Sequence, residues 1–152
     1  MTPATKEIKG RQQDDNSPVD IRPVHQTDRE RMVRLYREAG WWSPANDRRP
    51  EFVDKIAENS YYFAAAFSDG EMIGMGRVLS DGISDAYIQD VTVLRDHRHR
   101  GIGARIITHL LDKLKADGLE WIGLIGEPGT GSFYKQLGFN EMKGSVPFRY
   151  KG

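Results

Sequence analysis

The chain has 152 residues, with 22 basic and 22 acidic side chains and no cysteine. A length of this order predicts one domain that can bury a hydrophobic core of its own. A formal net charge of zero argues against non-specific nucleic-acid binding as the main activity, and the lack of cysteine excludes disulfides, thiolate metal sites and a cysteine nucleophile.

Residues 1–17 are polar and contain no hydrophobic core segment, so we expect a flexible tail rather than a signal peptide. Residues 18–152 are expected to form a single domain, because no linker or repeat divides them. No apolar run approaches the roughly 18 residues needed to cross a bilayer, so no membrane partner is expected. The cysteine-free composition fits a cytoplasmic protein.

The first part of the domain is predicted to contain a strand followed by helices. Residues 19–24 form the short strand, and Thr27 with Glu30 fits a capping box at the start of a helix. Gly40 can end this helix. Pro50 suits the first position of a second helix, because its ring fixes the backbone angle that a helix needs.

Beyond residue 60 the spacing of the apolar residues changes from that of a helix to that of a strand. Ser68-Asp69-Gly70 predicts the turn of a hairpin. A long helix follows at 102–115, with an apolar stripe along one side. The predicted strands are 61–67, 72–79, 86–94, 119–125, 139–142 and 146–150, and a short helix is predicted at 129–137. This order implies an α/β (α+β) fold, with a mixed sheet and helices on both faces.

The segment between the strand at 86–94 and the long helix is rich in arginine and glycine: Arg98-His99-Arg100-Gly101-Ile102-Gly103-Ala104. The first turn of a helix leaves several backbone N–H groups without partners, and their partial positive charge favours an anion, most often a phosphate. Gly101 and Gly103 have no Cβ, so a ligand oxygen can approach the backbone closely. Positive side chains surround the same point: Arg95, Arg98 and Arg100.

Two motifs resemble the signature of the Gcn5-related N-acetyltransferase (GNAT) superfamily. In the first, Arg98, Gly101 and Gly103 match the core Gln/Arg-x-x-Gly-x-Gly/Ala. The second, Phe133-Tyr134-Lys135-Gln136-Leu137-Gly138-Phe139, is similar to the family's FY-x-x-LGF segment. In addition, residues 39–90 resemble the arylalkylamine and serotonin acetyltransferase-like branch, and glucosamine-phosphate acetyltransferases share much of the later pattern.

The resemblance implies a GNAT fold, with a mostly antiparallel sheet of about six to seven strands whose fourth and fifth strands splay apart. It also implies acetyl-CoA as the cofactor and a small-molecule amine as the acceptor. Dimers are common in the family, so a homodimer is a further expectation. No nucleic acid is expected as a partner.

The resemblance also implies which residues bind acetyl-CoA. The backbone N–H groups at the start of the long helix take the pyrophosphate, and the strand edge at 91–93 pairs with the pantetheine amides as an added strand does. The main chain near Val91 hydrogen-bonds the thioester carbonyl, which stabilises the developing oxyanion. The implied residues are Val91, Thr92, Val93, Arg98, His99, Arg100, Gly101, Ile102, Gly103, Ala104, Phe133 and Tyr134.

Tyr134 matches the family's tyrosine that protonates the leaving thiolate, so the resemblance implies that it is the general acid. The general base stays open. Many relatives have a glutamate where this chain has Gln89, whose amide cannot usefully accept the proton. Asp90 is the catalytic candidate, with Asp85 and Glu127 as reserves that act through water. Side chains alternate along a strand, so Asp90 is expected to face away from Gln89 unless a bulge intervenes.

Several alternatives stay open. Trp41 and Trp42 either line an acceptor pocket or pack in the core or a lid. His97 and His99 have a spacing that suggests a metal, but no carboxylate or cysteine completes the set, so no metal is expected. We expect acetyl transfer to the primary amine of a small molecule by direct attack in a ternary complex. The alternatives are an acyl-CoA sensor or interaction module with the same fold, and a protein or peptide N-acetyltransferase.

Overall fold

The computed structural model describes residues 16–152, so most of the tail predicted at 1–17 lies outside the described residues. Five strands form one sheet in the order β1-β2-β3-β4-β5, antiparallel except for the parallel pair β4-β5. They are β1 (Asp20–Pro23), β2 (Tyr62–Ser68), β3 (Glu71–Leu79), β4 (Asp85–Val93) and β5 (Trp121–Gly123). The α-helices are α1 (Arg29–Glu38), α2 (Ile102–Ala116) and α3 (Gly131–Gln136), and 3-10 turns span Pro44–Arg48, Pro50–Lys55 and Arg95–His97.

The mixed sheet with helices confirms the predicted fold class, but two predicted strands are wrong. Residues 139–142 and 146–150 have irregular backbone in the described chain. A strand requires a neighbour that satisfies its N–H and C=O groups. Here the last segment stays on the surface, with Phe148 93% exposed. The sheet of the described residues therefore has five strands instead of the expected six to seven.

Two local turns show how the sequence determines the ends of elements. Asp69 and Gly70 both have positive φ, of 50° and 78°, as a two-residue hairpin turn requires. The capping box predicted at Thr27 is wrong, because α1 begins one residue later than expected. Asp28 is the N-cap, and its Oδ1 accepts the N–H of Arg31 at 3.1 Å. The Thr27 hydroxyl is buried, with no hydrogen-bond partner among the described residues.

Helices α1 and α2 lie on opposite faces of the sheet. The side of β3 that carries Gly74 and Gly76 faces Ile106 of α2, whereas the neighbouring Arg77 points to the face where α1 lies. Ile106 and Leu110 are fully buried between α2 and the sheet. The glycines let α2 approach β3 closely. None of the helices within residues 16–152 is both long and apolar enough to cross a membrane.

Replacing Gly76 with alanine should destabilise the fold, because a Cβ there would lie 2.9 Å from Cγ2 of Ile106 and 3.1 Å from Cδ1 of Leu110. We expect a loss of about 1–3 kcal/mol in the free energy of unfolding. The matched control is Gly103→Ala in α2, whose Cβ would meet Phe133 at an ordinary 3.6 Å. It should keep or slightly raise stability, since alanine favours a helix. Urea denaturation measures both, and equal stability of the two variants would contradict this packing.

Candidate active site

A β-bulge interrupts β4 at Asp90. Met75 pairs with Thr92 and Arg77 pairs with Gln89, so Asp90 and Val91 together lie opposite the single residue between them on β3. Asp90 has a φ of 54°, in the left-handed region that aspartate tolerates better than most residues. The bulge changes the direction of the strand in the middle of the predicted site.

Two side chains hold the Asp90 carboxylate. The Nε of Arg77 donates to Oδ2 at 2.6 Å, and the hydroxyl of Tyr36 in α1 donates to the same oxygen at 2.7 Å. Arg77 also donates from Nη2 to Oε1 of Gln89 at 3.4 Å. Gln89 and Asp90 therefore face the same side, because the bulge cancels the expected alternation.

The Arg77–Asp90 pair is partly shielded from water, with side chains 19% and 21% exposed. Burial of Tyr36, together with the negative charge of Asp90, raises the pKa of the phenol well above its usual value, so Tyr36 stays a neutral donor. Sequence analysis did not identify Tyr36 and Arg77 as site residues. A signal was present, because Arg77 is the one charged residue inside the apolar run 72–79.

Strands β4 and β5 part beyond their first three residue pairs, which join Asp85–Tyr87 to Trp121–Gly123. A cavity of about 350 Å³ opens where they separate. Its lining residues are Trp41, Tyr87, Ile88, Gln89, Asp90, Val91, Leu124, Ile125, Glu127, Thr130 and Tyr134. The structure therefore brings together the predicted acid Tyr134, the candidate Asp90 and the reserve carboxylate Glu127. The other reserve, Asp85, lies at the far end of β4 beside Trp121.

Tyr134 lies in α3 with its ring packed edge-on against Phe133 and Phe139, at centroid distances of 5.0 and 5.7 Å. Burial raises the pKa of its phenol, and the negative charge of Glu127 raises it further. Tyr134 is therefore protonated at neutral pH. A protonated phenol in the wall of the cavity can donate a proton there.

The two sequence motifs meet at the start of α2. A Cβ on Gly103 would lie 3.6 Å from Cζ of Phe133, so the helix start and the FY segment are in contact. His99 and Gly101 both have positive φ, of 61° and 75°, and Gly101 begins α2 without a side-chain cap. Left-handed residues in such a loop turn backbone N–H groups toward one point. This geometry fits an anion such as a pyrophosphate.

The arginines of this loop have different contacts. Arg98 donates from Nε to the Val93 carbonyl at 2.8 Å and from Nη2 to the Glu38 carbonyl at 3.3 Å. Its guanidinium thus links the loop to the ends of β4 and α1. Nη1 of Arg100 lies 3.2 Å from Nδ1 of the buried His97. A direct contact of either side chain with phosphate stays a prediction.

The side chains of Trp41 and Trp42 have different surroundings. Trp41 lines the cavity, with its ring edge-on to Tyr36 at 5.5 Å. Trp42 stacks on Phe52 at 5.7 Å and donates from Nε1 to Asp47 at 2.9 Å. Trp41 is thus available to an acceptor, whereas Trp42 packs within the loop that follows α1.

Comparison with known proteins identifies a family from the sequence and similar folds among solved structures. The profile of the acetyltransferase (GNAT) family matches residues 29–139. The chain is 33% identical over 113 residues to the N-acetyltransferase ycf52 of Gracilaria tenuistipitata, a match that covers 71% of this chain and 59% of that protein. It is 32% identical over 76 residues to the chloroplastic serotonin N-acetyltransferase 2 of rice, covering 50% of this chain and 38% of the rice protein. The chain thus spans less than two thirds of the length of each of these relatives.

Solved structures share the fold at low sequence identity. A GNAT family acetyltransferase from Streptococcus pneumoniae superposes with a TM-score of 0.76 at 21% identity, covering 89% of this chain and 98% of that one. Glucosamine-6-phosphate N-acetyltransferase from Arabidopsis thaliana superposes with a TM-score of 0.64 at 17% identity, covering 89% and 99%. The family match spans most of the domain and includes both motifs. This chain therefore belongs to the GNAT acetyltransferase family.

Proposed function

We propose that this chain transfers the acetyl group of acetyl-CoA to the primary amine of a small molecule. One observation supports this most strongly: a single cavity between β4 and β5 is lined by the neutral phenol Tyr134, the carboxylate Glu127 and the bulged main chain at Asp90. The uncapped start of α2 is linked to this site through Phe133. The proposed acid Tyr134, the proposed proton acceptor Glu127 and the proposed anion site at the start of α2 thus lie close together.

The cofactor site would use the main chain more than side chains. The first turn of α2 would take the pyrophosphate, and the edge of β4 at 91–93 would pair with the pantetheine amides as an added strand does. When bound, acetyl-CoA supplies an activated thioester. A main-chain donor near Val91 would stabilise negative charge on the thioester oxygen, an effect worth about 3 kcal/mol for one such donor. Phe133 would keep the helix start and α3 in contact.

The acceptor must lose a proton before it attacks, because an alkylamine has a pKa of about 10 and is mostly an ammonium at neutral pH. Glu127 lines the cavity and can take that proton through water. Asp90 was the candidate base, but its Oδ2 already accepts from both Arg77 and Tyr36, which ties the carboxylate to β3 and α1. We therefore assign Asp90 a positioning role, in which it stabilises the bulge, and Glu127 the role of proton acceptor.

The transfer itself requires two further proton movements. The amine nitrogen would form a bond to the acyl carbon as the carbon–sulfur bond breaks, the thiolate would accept a proton from the Tyr134 hydroxyl, and the nitrogen would release its second proton to solvent through water. Because burial keeps this phenol protonated, it can serve in each cycle and regain its proton from solvent. The chain has no cysteine, so an acyl-cysteine step is excluded and the amine attacks directly.

The cavity favours a small acceptor. Its volume of about 350 Å³ suits a compact amine better than a peptide, and the rings of Trp41 and Tyr87 in its wall suit an apolar or cationic group. One relative is named for serotonin and one structural neighbour for glucosamine 6-phosphate, both of them small amines. The cytoplasmic location stays a prediction, since the rice relative is named chloroplastic.

Thiol release from acetyl-CoA with a panel of small amines and peptides tests the proposal. We expect release with at least one small amine, and Tyr134→Phe should lower turnover about 100-fold, the usual range for loss of a general acid. The affinity for CoA, measured by calorimetry, should stay within about twofold, because the ring packing is kept.

Failure to bind CoA would reject the proposal. Binding without release would favour the sensor alternative, and release with peptides alone would favour a protein acetyltransferase. Unchanged turnover of Tyr134→Phe would remove the assignment of the acid.

Asp90→Asn and Glu127→Gln separate positioning from proton transfer. Asp90→Asn should lower the free energy of unfolding by about 1 kcal/mol, since a neutral amide oxygen binds Arg77 and Tyr36 less strongly than a carboxylate. It should keep the pH dependence of kcat/KM between pH 7 and 9. Glu127→Gln should leave stability within about 0.5 kcal/mol and lower kcat/KM about 100-fold at pH 7, with a smaller loss toward pH 9, where more of the acceptor is already a free amine.

Glu127→Gln should also shift the alkaline limb to lower pH, because the charge of Glu127 raises the pKa of Tyr134. A loss of kcat/KM in Asp90→Asn that is large at pH 7 and smaller toward pH 9, with Glu127→Gln unaffected, would reverse the two assignments.

A further inference from the structure

Gln89 lines the cavity between β4 and β5 with an exposed side chain. It lies directly opposite Arg77 of β3, in the last residue pair of β4 before the bulge. The proposed acetyl transfer gives Gln89 no task so far, because an amide does not take a proton from the acceptor. Its oxygen accepts hydrogen bonds and its NH2 group donates them. The orientation of the amide therefore determines what Gln89 can recognise in the cavity.

Arg77 determines this orientation. Its Nη2 donates to Oε1 of Gln89 at 3.4 Å, while its Nε donates to Asp90 at 2.6 Å. A guanidinium has donors only, so a reversed amide would place N–H against N–H beside a positive charge. The oxygen of Gln89 therefore faces Arg77. The NH2 group has no hydrogen-bond partner among the described residues, and it is the part of the amide left for a molecule in the cavity.

Several other polar groups in the cavity wall are already in use. The Thr130 hydroxyl donates to the Glu127 carbonyl at 2.6 Å, and the Tyr134 hydroxyl is the proposed acid. The carboxylates in the wall only accept hydrogen bonds when ionised. The side-chain donors that remain, each without a partner within residues 16–152, are the NH2 group of Gln89, the indole N–H of Trp41 and the hydroxyl of Tyr87.

Gln89 differs from the other two free donors because a charged side chain holds it in place. A donor whose direction is already fixed loses less conformational entropy when it binds a ligand. The Nη2 of Arg77 fixes the amide from one side, and the pairing of β3 with β4 fixes the backbone beneath it. Of the three donors, we therefore expect Gln89 to contribute most to specificity.

The charges around Gln89 favour a neutral oxygen as its partner. Arg77 and Asp90 form an ion pair whose charges cancel, and the other carboxylate in the wall is Glu127. Glu127 would repel a negatively charged substituent and attract an ammonium group. An acceptor would therefore direct its amine toward Glu127 and an uncharged oxygen toward Gln89.

We propose that Gln89 determines which amines are accepted, by donating a hydrogen bond from its NH2 group to an ether, hydroxyl or carbonyl oxygen of the acceptor. This inference rests on the proposed acetyl transfer and specifies the class of amine. An amine of the same shape without the oxygen displaces water from the NH2 group and gives it no new partner, so it reacts more slowly.

Pairs of amines that differ only by an oxygen in place of a CH2 group test this specificity. One pair is para-methoxyphenethylamine and para-ethylphenethylamine, and the other is methoxypentylamine and heptylamine, with the ether remote from the nitrogen in both. Thiol release from acetyl-CoA gives kcat/KM for each amine. In the parent chain the ether should react about tenfold faster than its CH2 partner.

Three variants show whether Gln89 causes this ratio. Gln89→Met keeps the length of the side chain without a donor and should lower the ratio to about one. Gln89→Glu keeps an oxygen against Arg77 and should lower the ratio below one, because a carboxylate repels the ether oxygen. The matched control Gln26→Met makes the same change at an exposed position outside the cavity and should keep the parent ratio. A general change in rate cancels, since both amines of a pair are measured on the same variant.

The outcomes separate this inference from the proposed function. No thiol release with any amine would reject both. Release with a ratio of one in the parent chain, or a parent-like ratio in Gln89→Met, would overturn the inference alone. Trp41→Phe and Tyr87→Phe should change the ratio less than Gln89→Met does. A larger fall in either of them would show that another donor binds the oxygen, which would also overturn the inference.

Discussion

The site depends on one side-chain contact, the carboxylate of Asp90 between Arg77 and Tyr36. Ile88 and Val93 both face α2, since Ile88 pairs with Val78 and Val93 pairs with Gly74 on that side of β3. They are five positions apart, so strict alternation would put them on opposite faces. One extra residue at Asp90 resolves this conflict. Its left-handed backbone costs about 1–2 kcal/mol in an ordinary residue, and the two hydrogen bonds to its side chain offset that cost.

The cavity follows from the unequal lengths of β4 and β5. β5 ends at Gly123, while β4 continues through the bulge to Val93. The chain after β5 turns sharply, with the Thr130 hydroxyl donating to the Glu127 carbonyl at 2.6 Å, and α3 begins at Gly131. This turn positions Tyr134 across the gap from β4. The phenol of Tyr134 and the carboxylate of Glu127 thus reach the same cavity because β4 and β5 part and a compact turn leads into the short helix α3.

Much of the fold could be predicted from sequence, because its signals are local. The Asp69-Gly70 turn, the apolar stripe of α2 and the glycine after α1 each act within a few residues. The two motifs also lie close together in the structure, since Gly103 is next to Phe133 and Tyr134 lines the cavity between β4 and β5. The role of Arg77 could not be derived in this way, since its partner lies 13 positions away and only the bulge brings the two together.

The final strands were predicted wrongly for a related reason. Alternating apolar residues at 146–150 show that the segment can form a strand, but they do not identify the strand with which it would pair. Within the described chain no neighbouring strand is present, so the segment stays irregular and exposed. Similarly, Thr27 and Asp28 are both residue types that cap helices well, and the sequence pattern does not show that Asp28 takes this role.

Amide hydrogen exchange with and without CoA tests the central claim most directly, that the edge of β4 and the start of α2 together hold the cofactor. Amides in the first turn of a helix exchange rapidly unless a ligand protects them. CoA should therefore slow exchange at Gly101, Ile102, Gly103 and Ala104, and at Val91 and Val93, while β1 stays unchanged. Binding of CoA that leaves both segments unprotected, or that protects only residues outside them, would contradict the account.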